Sequence, residues 1–189
     1  MVSMVTAMIT ERKYKMEFYD VVNSRHSIRK YNDTPVPRET VNKILKAGIQ
    51  APSWNNRQCW RYILISDQKV KEALSTLFSN PMEECFKRAP YILVLCADPS
   101  DSGHQGGKDY YLVDCGISME HVVLAAAAEG LGTCWIGVFP ENPVRKLLNV
   151  PEGIRVVAMT PLGFPDENPE RSERKEFDKI VFEEQWSYL

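Results

Sequence analysis

The sequence predicts an α+β protein of three layers, in which long helices cover buried strands. The segment at 91–97 (YILVLCA) is apolar without alternation, which is typical of a strand buried on both faces. A long helix is predicted over Lys108–Gly130. From Val122 to Ala128 it is apolar on every side, so this part should be buried. Buried strands from separated parts of the chain, wrapped by such helices, give the three-layer arrangement.

The other elements follow from periodicity and from proline and glycine positions. Pro37 suits an early helical position, and Pro52 ends the same helix because the residue before a proline avoids the helical region. Ser100–Lys108 contains three glycines and predicts a flexible loop, either a lid or a mobile connection. The remaining predicted helices cover 16–23, 37–51, 67–78, 81–87 and 143–148, and the remaining predicted strands cover 60–65, 133–138 and 154–159.

Composition limits the function classes. The chain has 189 residues and a net charge of −2, which argues against the clustered basic footprint of a nucleic-acid-binding protein. Five widely spaced cysteines without a C-x-x-C pair argue against a disulfide framework or a metal site and favour the cytoplasm. The N-terminus lacks the features of a signal peptide, and no apolar run approaches the ~18 residues of a membrane span. We expect one domain over 16–189 after a flexible extension over 1–15.

The most informative motif is SRHSIRKY at 24–31. Arg25 and Arg29 are four positions apart, so both guanidinium groups point the same way if the chain leaves a helix there. Ser27 adds a hydroxyl between them. Two guanidinium groups and a hydroxyl suit a terminal phosphate, which takes bidentate hydrogen bonds. The alternative is a solvated basic face, and a second motif downstream favours the phosphate.

The second motif is APSWNNRQCW at 51–60, on a loop between a helix and a strand. Asn56 and Gln58 each offer a donor and an acceptor, and side chains two apart point the same way on an extended segment. Such a pair suits a flat heterocycle with alternating N–H and C=O groups. The alternative is that these side chains cap their own loop backbone.

The two motifs in this order resemble the nitroreductase family of FMN-dependent oxidoreductases. A third element agrees, DCGISMEH at 114–121 leading into GLGTCW at 130–135. A fourth is PLGFP at 161–165, followed by Arg174, Lys175 and an apolar strand. Together the four elements extend over Glu17–Phe182. The resemblance implies a mostly antiparallel central sheet, a homodimer, and a C-terminal segment that is swapped onto the partner.

The resemblance also implies the residues of an FMN site. The phosphate and ribityl end would be held by one set (Arg25, His26 through its backbone, Ser27 and Arg29). Asn56 and Gln58 would address the flavin ring, and Pro52 and Ser53 would contact the flavin bound mainly by the other subunit. Backbone groups of Trp135, Ile136 and Gly137 would line the ring. Arg174 or Lys175 would return to the phosphate.

The activity implied is the transfer of two electrons from NAD(P)H to a small aromatic, nitro or quinone-like acceptor by a ping-pong mechanism. Neither a side-chain nucleophile nor a metal-ligand signature stands out, in agreement with chemistry that the flavin carries. NADH, NADPH and a protein donor stay open. The alternatives are an FMN carrier or redox sensor without efficient turnover, and an enzyme that remodels the flavin.

Four residues near these motifs have open roles. Cys59 stands where the family usually has proline, and an inert small residue is the expectation. His121 stands where the family often has asparagine. Trp54 could stack on an aromatic substrate, pack in the core or contact the partner. His104 could approach the substrate if its loop closes.

Overall fold

The computed structural model describes residues 17–186. Six α-helices and six β-strands are present in this part of the chain. The helices are α1 (Phe18–Ser24), α2 (Arg38–Ile49), α3 (Gln68–Ser75), α4 (Met82–Arg88), α5 (Tyr110–Ala128) and α6 (Glu141–Leu147). The strands are β1 (Trp60–Ile65), β2 (Tyr91–Ala97), β3 (His104–Gln105), β4 (Lys108–Asp109), β5 (Gly132–Thr133) and β6 (Arg155–Gly163). The predicted extension over 1–15 lies outside the described residues.

The main sheet has four strands in the order β1-β2-β6-β5, all antiparallel. Trp60 pairs with Ala97 and Ala97 with Arg155, whereas Gly132 pairs with Gly163 at the opposite end of β6. The sheet therefore has two well-separated ends, one at Arg155 and one at Gly163.

Strand β2 is buried on both faces, as its sequence predicts. Leu93 and Leu95 face α2 and α5 on one side of the sheet. Ile92 and Val94 face α3, α4 and α6 on the other side. Because successive side chains of a strand point to opposite faces, one apolar run supplies both cores. The α+β class with three layers is confirmed.

Several elements differ from their predicted extents. The strand predicted at 133–138 is reduced to β5 and one bridge between Ile136 and Met159. The strand predicted at 154–159 continues to Gly163. The apolar strand predicted in the tail is not formed: residues 180–182 are irregular and follow a 3₁₀ helix at Phe177–Lys179.

The segment Ser100–Lys108 has a defined structure, which corrects the expectation of a flexible loop. A 3₁₀ helix at Pro99–Asp101 leads into the hairpin of β3 and β4. Gly106 and Gly107 both have positive φ, at 60° and 73°, and these values allow the tight turn between the two strands.

Helix α5 is long and apolar enough to cross a membrane by length and composition, a property that no other helix of residues 17–186 has. The core helices of soluble proteins pass the same test, and α5 packs against α2 and the sheet. Its apolar stretch is only partly covered, however. Val122 and Val123 are buried, whereas Leu124 is half-buried and Ala128 is exposed. One side of α5 thus lacks cover within this chain.

Candidate active site

The two-arginine motif lies beyond the end of α1, as extended chain. Arg25 has φ −62° and ψ 126°, so the helical reason for placing both arginines on one side is wrong. Alternate side chains of an extended segment share a side. The extended backbone therefore places three side chains of the motif on one side, those of Arg25, Ser27 and Arg29. The side chain of Ile28 points the other way and is buried in the core.

Two neighbouring segments fix this stretch of backbone. Ser27 forms a parallel bridge with Thr133, and the Ile28 N–H donates to the Thr133 carbonyl at 2.8 Å. On the other side, the Asp166 N–H donates to the Lys30 carbonyl at 2.9 Å. The motif therefore lies at the Gly163 end of β6 and takes its shape from backbone pairing.

A cavity of about 210 Å³ opens beside the motif. Arg25 and His26 are half-buried in its wall, and His26 Nδ1 donates to the Ser24 carbonyl at 2.7 Å. Arg29 is exposed and lines a neighbouring cavity with Lys30 and other residues. The rest of the first cavity is formed by Ser24, Ile28, Ala127, Leu131, Gly132, Thr133, Pro165, Glu167 and Asn168. The half-buried guanidinium group makes this cavity suitable for an anionic group.

Glu167 is a member of this cavity that the sequence motifs did not indicate. Its Oε1 accepts from the Arg29 N–H at 2.5 Å and from the Lys30 N–H at 3.2 Å. Consecutive backbone N–H groups are donors that an anion can use. An anion bound in the cavity would therefore lie close to a carboxylate that already occupies two such donors.

The segment Trp135–Gly137 runs beside β6 from the same end of the sheet. Ile136 exchanges two backbone hydrogen bonds with Met159, each at 2.9 Å, so its backbone faces β6. Because backbone groups alternate in direction along an extended chain, those of Trp135 and Gly137 face away from β6. Trp135 is 42% exposed. This segment can present backbone groups to a molecule that lies against it.

The second motif forms a compact turn, which corrects the extended geometry expected for it. Trp54–Asn56 is a 3₁₀ helix, and the Gln58 N–H donates to Ser53 Oγ at 2.9 Å. Gln58 Nε2 donates to the Asn56 carbonyl at 3.2 Å and to Asn56 Oδ1 at 3.3 Å. The two side chains are adjacent and exposed. The Nε2 group of Gln58 and the Oδ1 atom of Asn56 therefore already form hydrogen bonds within their own loop.

This turn holds three residues in the left-handed region. Asn55, Asn56 and Gln58 have φ of 47°, 56° and 53°. That conformation costs roughly 1 kcal/mol for a residue with a Cβ, and less for asparagine. Such a turn persists only when its surroundings hold it.

Trp54 packs within its own chain. Its ring centroid is 4.3 Å from that of Tyr110, at an interplanar angle of 43°. A Cβ added to Gly103 would lie 2.4 Å from Trp54 Cε2, so the indole lies directly on the backbone of that glycine. The hairpin that follows is closed by a hydrogen bond between His104 Nδ1 and Asp109 Oδ1 at 2.6 Å.

The two motifs lie at opposite ends of the molecule. The second motif adjoins the Arg155 end of β6, because the Asp98 N–H donates to the Cys59 carbonyl at 2.9 Å. The ends of β6 are about 27 Å apart at the usual rise of a strand. Helix α5 gives a similar estimate, since Asp114 near the second motif and Ala127 near the first are separated by about 20 Å. One chain does not bring the two motifs together.

The tail residues are also not joined to the first motif by a hydrogen bond within the described chain. Arg174 Nη1 donates to the carbonyls of Ser172 and Glu173, its own neighbours. Lys175 is exposed.

Two residues with open roles have defined surroundings. Cys59 is fully buried, and burial together with the nearby Asp114 carboxylate raises the pKa of its thiol to about 11. Its thiol is therefore protonated at neutral pH. His121 is half-buried on α5, and its Nδ1 donates to the Ala47 carbonyl at 3.2 Å.

The sequence matches the family model described as "Putative TM nitroreductase" over residues 17–187. The chain belongs to the nitroreductase family. A protein of Methanothermobacter thermautotrophicus named "Putative NADH dehydrogenase/NAD(P)H nitroreductase" is 32% identical over 183 residues, which cover 95% of this chain and 93% of the relative.

Solved structures of nitroreductases have the same fold. A nitroreductase family protein from Clostridium novyi NT is 39% identical, with a TM-score of 0.77 over 83% of this chain and 89% of that one. The NADPH:FMN oxidoreductase from Vibrio harveyi, solved with NAD⁺, is 27% identical, with a TM-score of 0.83 over 91% and 79% of the two chains. The present nitroreductase is therefore an enzyme, an oxidoreductase of this type.

Proposed function

We propose that this nitroreductase binds FMN and passes two electrons from NAD(P)H to a small aromatic, nitro or quinone-like acceptor. The observation that carries the proposal is the cavity lined by Arg25 and His26 at the Gly163 end of β6, the end from which the segment Trp135–Gly137 runs along β6. The Vibrio harveyi neighbour, whose name includes both NADPH and FMN, supports this choice of donor and cofactor.

The residues present fit FMN. The half-buried Arg25 beside His26 suits its phosphate, which takes bidentate hydrogen bonds from a guanidinium group. Ser27 and Arg29 would complete the phosphate and ribityl contacts from the same side of the extended chain. Backbone groups of the segment Trp135–Gly137 would line the ring.

The site is completed by a second copy of the chain in this proposal. The second motif lies at the far end of β6 from Arg25. Its residues would therefore reach the flavin ring from the partner subunit; they are Pro52, Ser53, Asn56 and Gln58. The described chain leaves apolar side chains uncovered on three elements, as a dimer interface requires. These side chains include Phe18, Tyr19, Leu112, Val113, Phe177, Ile180 and Trp186. The tail would cross to the partner and carry Arg174 or Lys175 toward a phosphate.

FMN, when bound, supplies the two-electron chemistry in a ping-pong sequence, first with NAD(P)H and then with the acceptor. The protein binds, orients and excludes water. The amide donor of Gln58 would stabilise negative charge on the pyrimidine side of the ring. Trp54 would border the acceptor on the side of the partner's loop. We place the enzyme in the cytoplasm because its five cysteines are free and buried.

The visible spectrum of the purified protein tests this proposal. We expect flavin absorption bands that bleach when NADH or NADPH is added without oxygen, and recover when a quinone is added. Flavin bands that bleach with neither NADH nor NADPH contradict an NAD(P)H donor. This result would favour an FMN carrier or a protein electron donor. Mass spectrometry of the released flavin detects remodelling. A colourless protein that FMN does not reconstitute contradicts the cofactor.

The phosphate assignment makes a separate prediction. The double substitution Arg25→Ala with Arg29→Ala should weaken FMN binding at least about 100-fold, because two charge-assisted contacts are lost. Equilibrium dialysis of FMN measures the change. Arg38→Ala is the matched control, since the Arg38 side chain is exposed and its Nε donates to Asn42 within α2. If the double variant binds FMN as tightly as Arg38→Ala does, the assignment of Arg25 and Arg29 to the phosphate is wrong.

A further inference from the structure

Asp114 is a buried carboxylate on the second turn of α5, and only 3% of its surface is exposed. Its Oδ1 accepts from the Trp54 N–H at 2.9 Å. Its Oδ2 accepts from Ser102 Oγ at 2.7 Å and lies 3.6 Å from Cys59 Sγ. The three donors are neutral and come from the second motif and from the segment before the β3–β4 hairpin.

A charge is expensive to bury unless hydrogen bonds replace its water. Hydrogen bonds to a carboxylate are among the stronger ones in proteins, because the acceptor is charged. Asp114 thus exchanges its hydration for contacts to two surface segments that are separated along the chain. The contact to Trp54 reaches the backbone, so it fixes the position of the chain at the start of the turn.

The turn that Asp114 holds is the strained part of the second motif. The Trp54 N–H is tied to α5, and Asn55, Asn56 and Gln58 follow with positive φ. The Trp54 ring is enclosed between Tyr110 and Gly103, and Tyr110 is the first residue of α5. The backbone and the ring of Trp54 therefore both contact residues of α5. Strained conformations persist where the surrounding structure over-determines them.

We propose that Asp114 is a positioning residue of the active site, which sets the turn at 53–58 so that Asn56 and Gln58 meet the flavin of the partner subunit. The inference rests on the proposed function for the flavin, but the anchoring itself rests on the hydrogen bonds of Asp114. It adds a residue that touches neither cofactor nor substrate.

The first test is hydrogen exchange of the purified protein, followed by mass spectrometry of peptides. Asp114→Ala should speed amide exchange at 53–58 at least about ten-fold, while exchange at 25–29 stays unchanged at the far end of β6. Asp109→Ala is the matched control, because this exposed carboxylate pairs with His104 in the neighbouring hairpin. Unchanged exchange at 53–58 in Asp114→Ala would overturn the anchoring.

The second test is kinetic and uses the FMN-loaded enzyme. Asp114→Ala should lower kcat/KM for the acceptor about ten-fold, since small misplacements of positioning groups are costly. Asp114→Asn should recover activity to within about three-fold, because its amide oxygen can still accept from the Trp54 N–H. In an Asn56→Ala, Gln58→Ala background, Asp114→Ala should have less than about a two-fold further effect.

The outcomes separate the two hypotheses. A wild-type protein that takes up no FMN refutes the proposed function, while hydrogen exchange still reports on the anchor. Normal FMN uptake with an unaltered kcat/KM in Asp114→Ala overturns the positioning role. The positioning role is also overturned if Asp114→Ala lowers kcat/KM by the same factor in the Asn56→Ala, Gln58→Ala background as in the wild-type enzyme. If Asp114→Ala does not fold, Asp114→Leu takes its place in the exchange and cycle measurements, and Asp114→Asn, which keeps the acceptor for the Trp54 N–H, is the conservative control.

Discussion

Gly103 is required at its position for steric reasons. Its φ lies outside the left-handed region, but the indole of Trp54 leaves no room for a Cβ. Gly103→Ala should cost about 1–3 kcal/mol of stability, as overpacking usually does, and should displace Trp54. Chemical denaturation and tryptophan fluorescence measure the two effects.

The control for this prediction is the same substitution in a chain without the indole. In a Trp54→Ala background, Gly103→Ala should change stability by less than about 0.5 kcal/mol, because the two residues act through one contact. An equal loss in both backgrounds would assign the cost to the backbone of Gly103 instead.

Single residues were predictable from the sequence where the residue type itself carries the chemistry. The arginines of the first motif and the amides of the second stand out for this reason. Glu167 was not predictable, because one carboxylate in a charged tail looks like solvated surface. Asp114 begins the motif DCGISMEH, but its role depends on contacts with Trp54 and Ser102 that no local pattern encodes.

At the scale of elements, Glu141 joins α6 to β6. Its carboxylate accepts two hydrogen bonds from Arg155, each at 2.8 Å, and one from the Val156 N–H at 3.0 Å. Its hydrogen bonds with Arg155, in the first place, hold the pKa of Glu141 below its usual value. A carboxyl group with a lowered folded-state pKa stabilises the fold above its unfolded pKa. This contribution is lost as the pH falls through the folded-state pKa.

Glu141→Gln should therefore destabilise the protein by on the order of 1 kcal/mol at pH 7, a modest value because the ion pair is partly solvated. The difference from wild type should shrink as the pH falls below the ordinary value of 4.5. Urea unfolding at several pH values measures it. Glu83→Gln, which breaks a pair within α4 alone, should have a smaller effect. A difference that grows at low pH would contradict this account.

Elements were predictable where one local pattern decided them. The apolar run of β2 and the long helix α5 have their predicted positions. The strand predicted at 133–138 was too long, because pairing with β6 is interrupted after Thr133 and resumes only at Ile136. Local sequence does not reveal where a partner strand stops. The hairpin at 104–109 was missed because its two strands have two residues each.

At the scale of the whole molecule, the proposed sharing of each site between two subunits predicts complementation between two chains of strongly reduced activity. Arg25→Ala with Arg29→Ala damages the first motif, and Asn56→Ala with Gln58→Ala damages the second. A dimer of one chain of each kind would contain one intact site, because in the proposed dimer each site takes one motif from each chain. After unfolding and refolding together, the mixture should regain about a quarter of wild-type activity.

The control is the same refolding with each variant alone, which should give no recovery. Val113→Glu, on the exposed face of α5, should abolish the recovery by blocking the dimer, whereas Lys69→Glu on α3 should not. No recovery from the mixed chains, despite dimers of the expected mass, would contradict a flavin site that takes the first motif from one subunit and the second motif from the other.

The pairing of β2 with β6 has a consequence for synthesis on the ribosome. Tyr91 pairs with Leu162, and Ala97 with Arg155, so the central strand waits for a partner that is translated some sixty to seventy residues later. Until then β2 is an apolar strand with an open edge, which is prone to aggregate. A nascent chain that ends before residue 155 therefore has β1 as the only native neighbour of β2, and the edge of β2 that pairs with β6 stays open. We expect translational arrest at that point to leave a chain that is prone to aggregation.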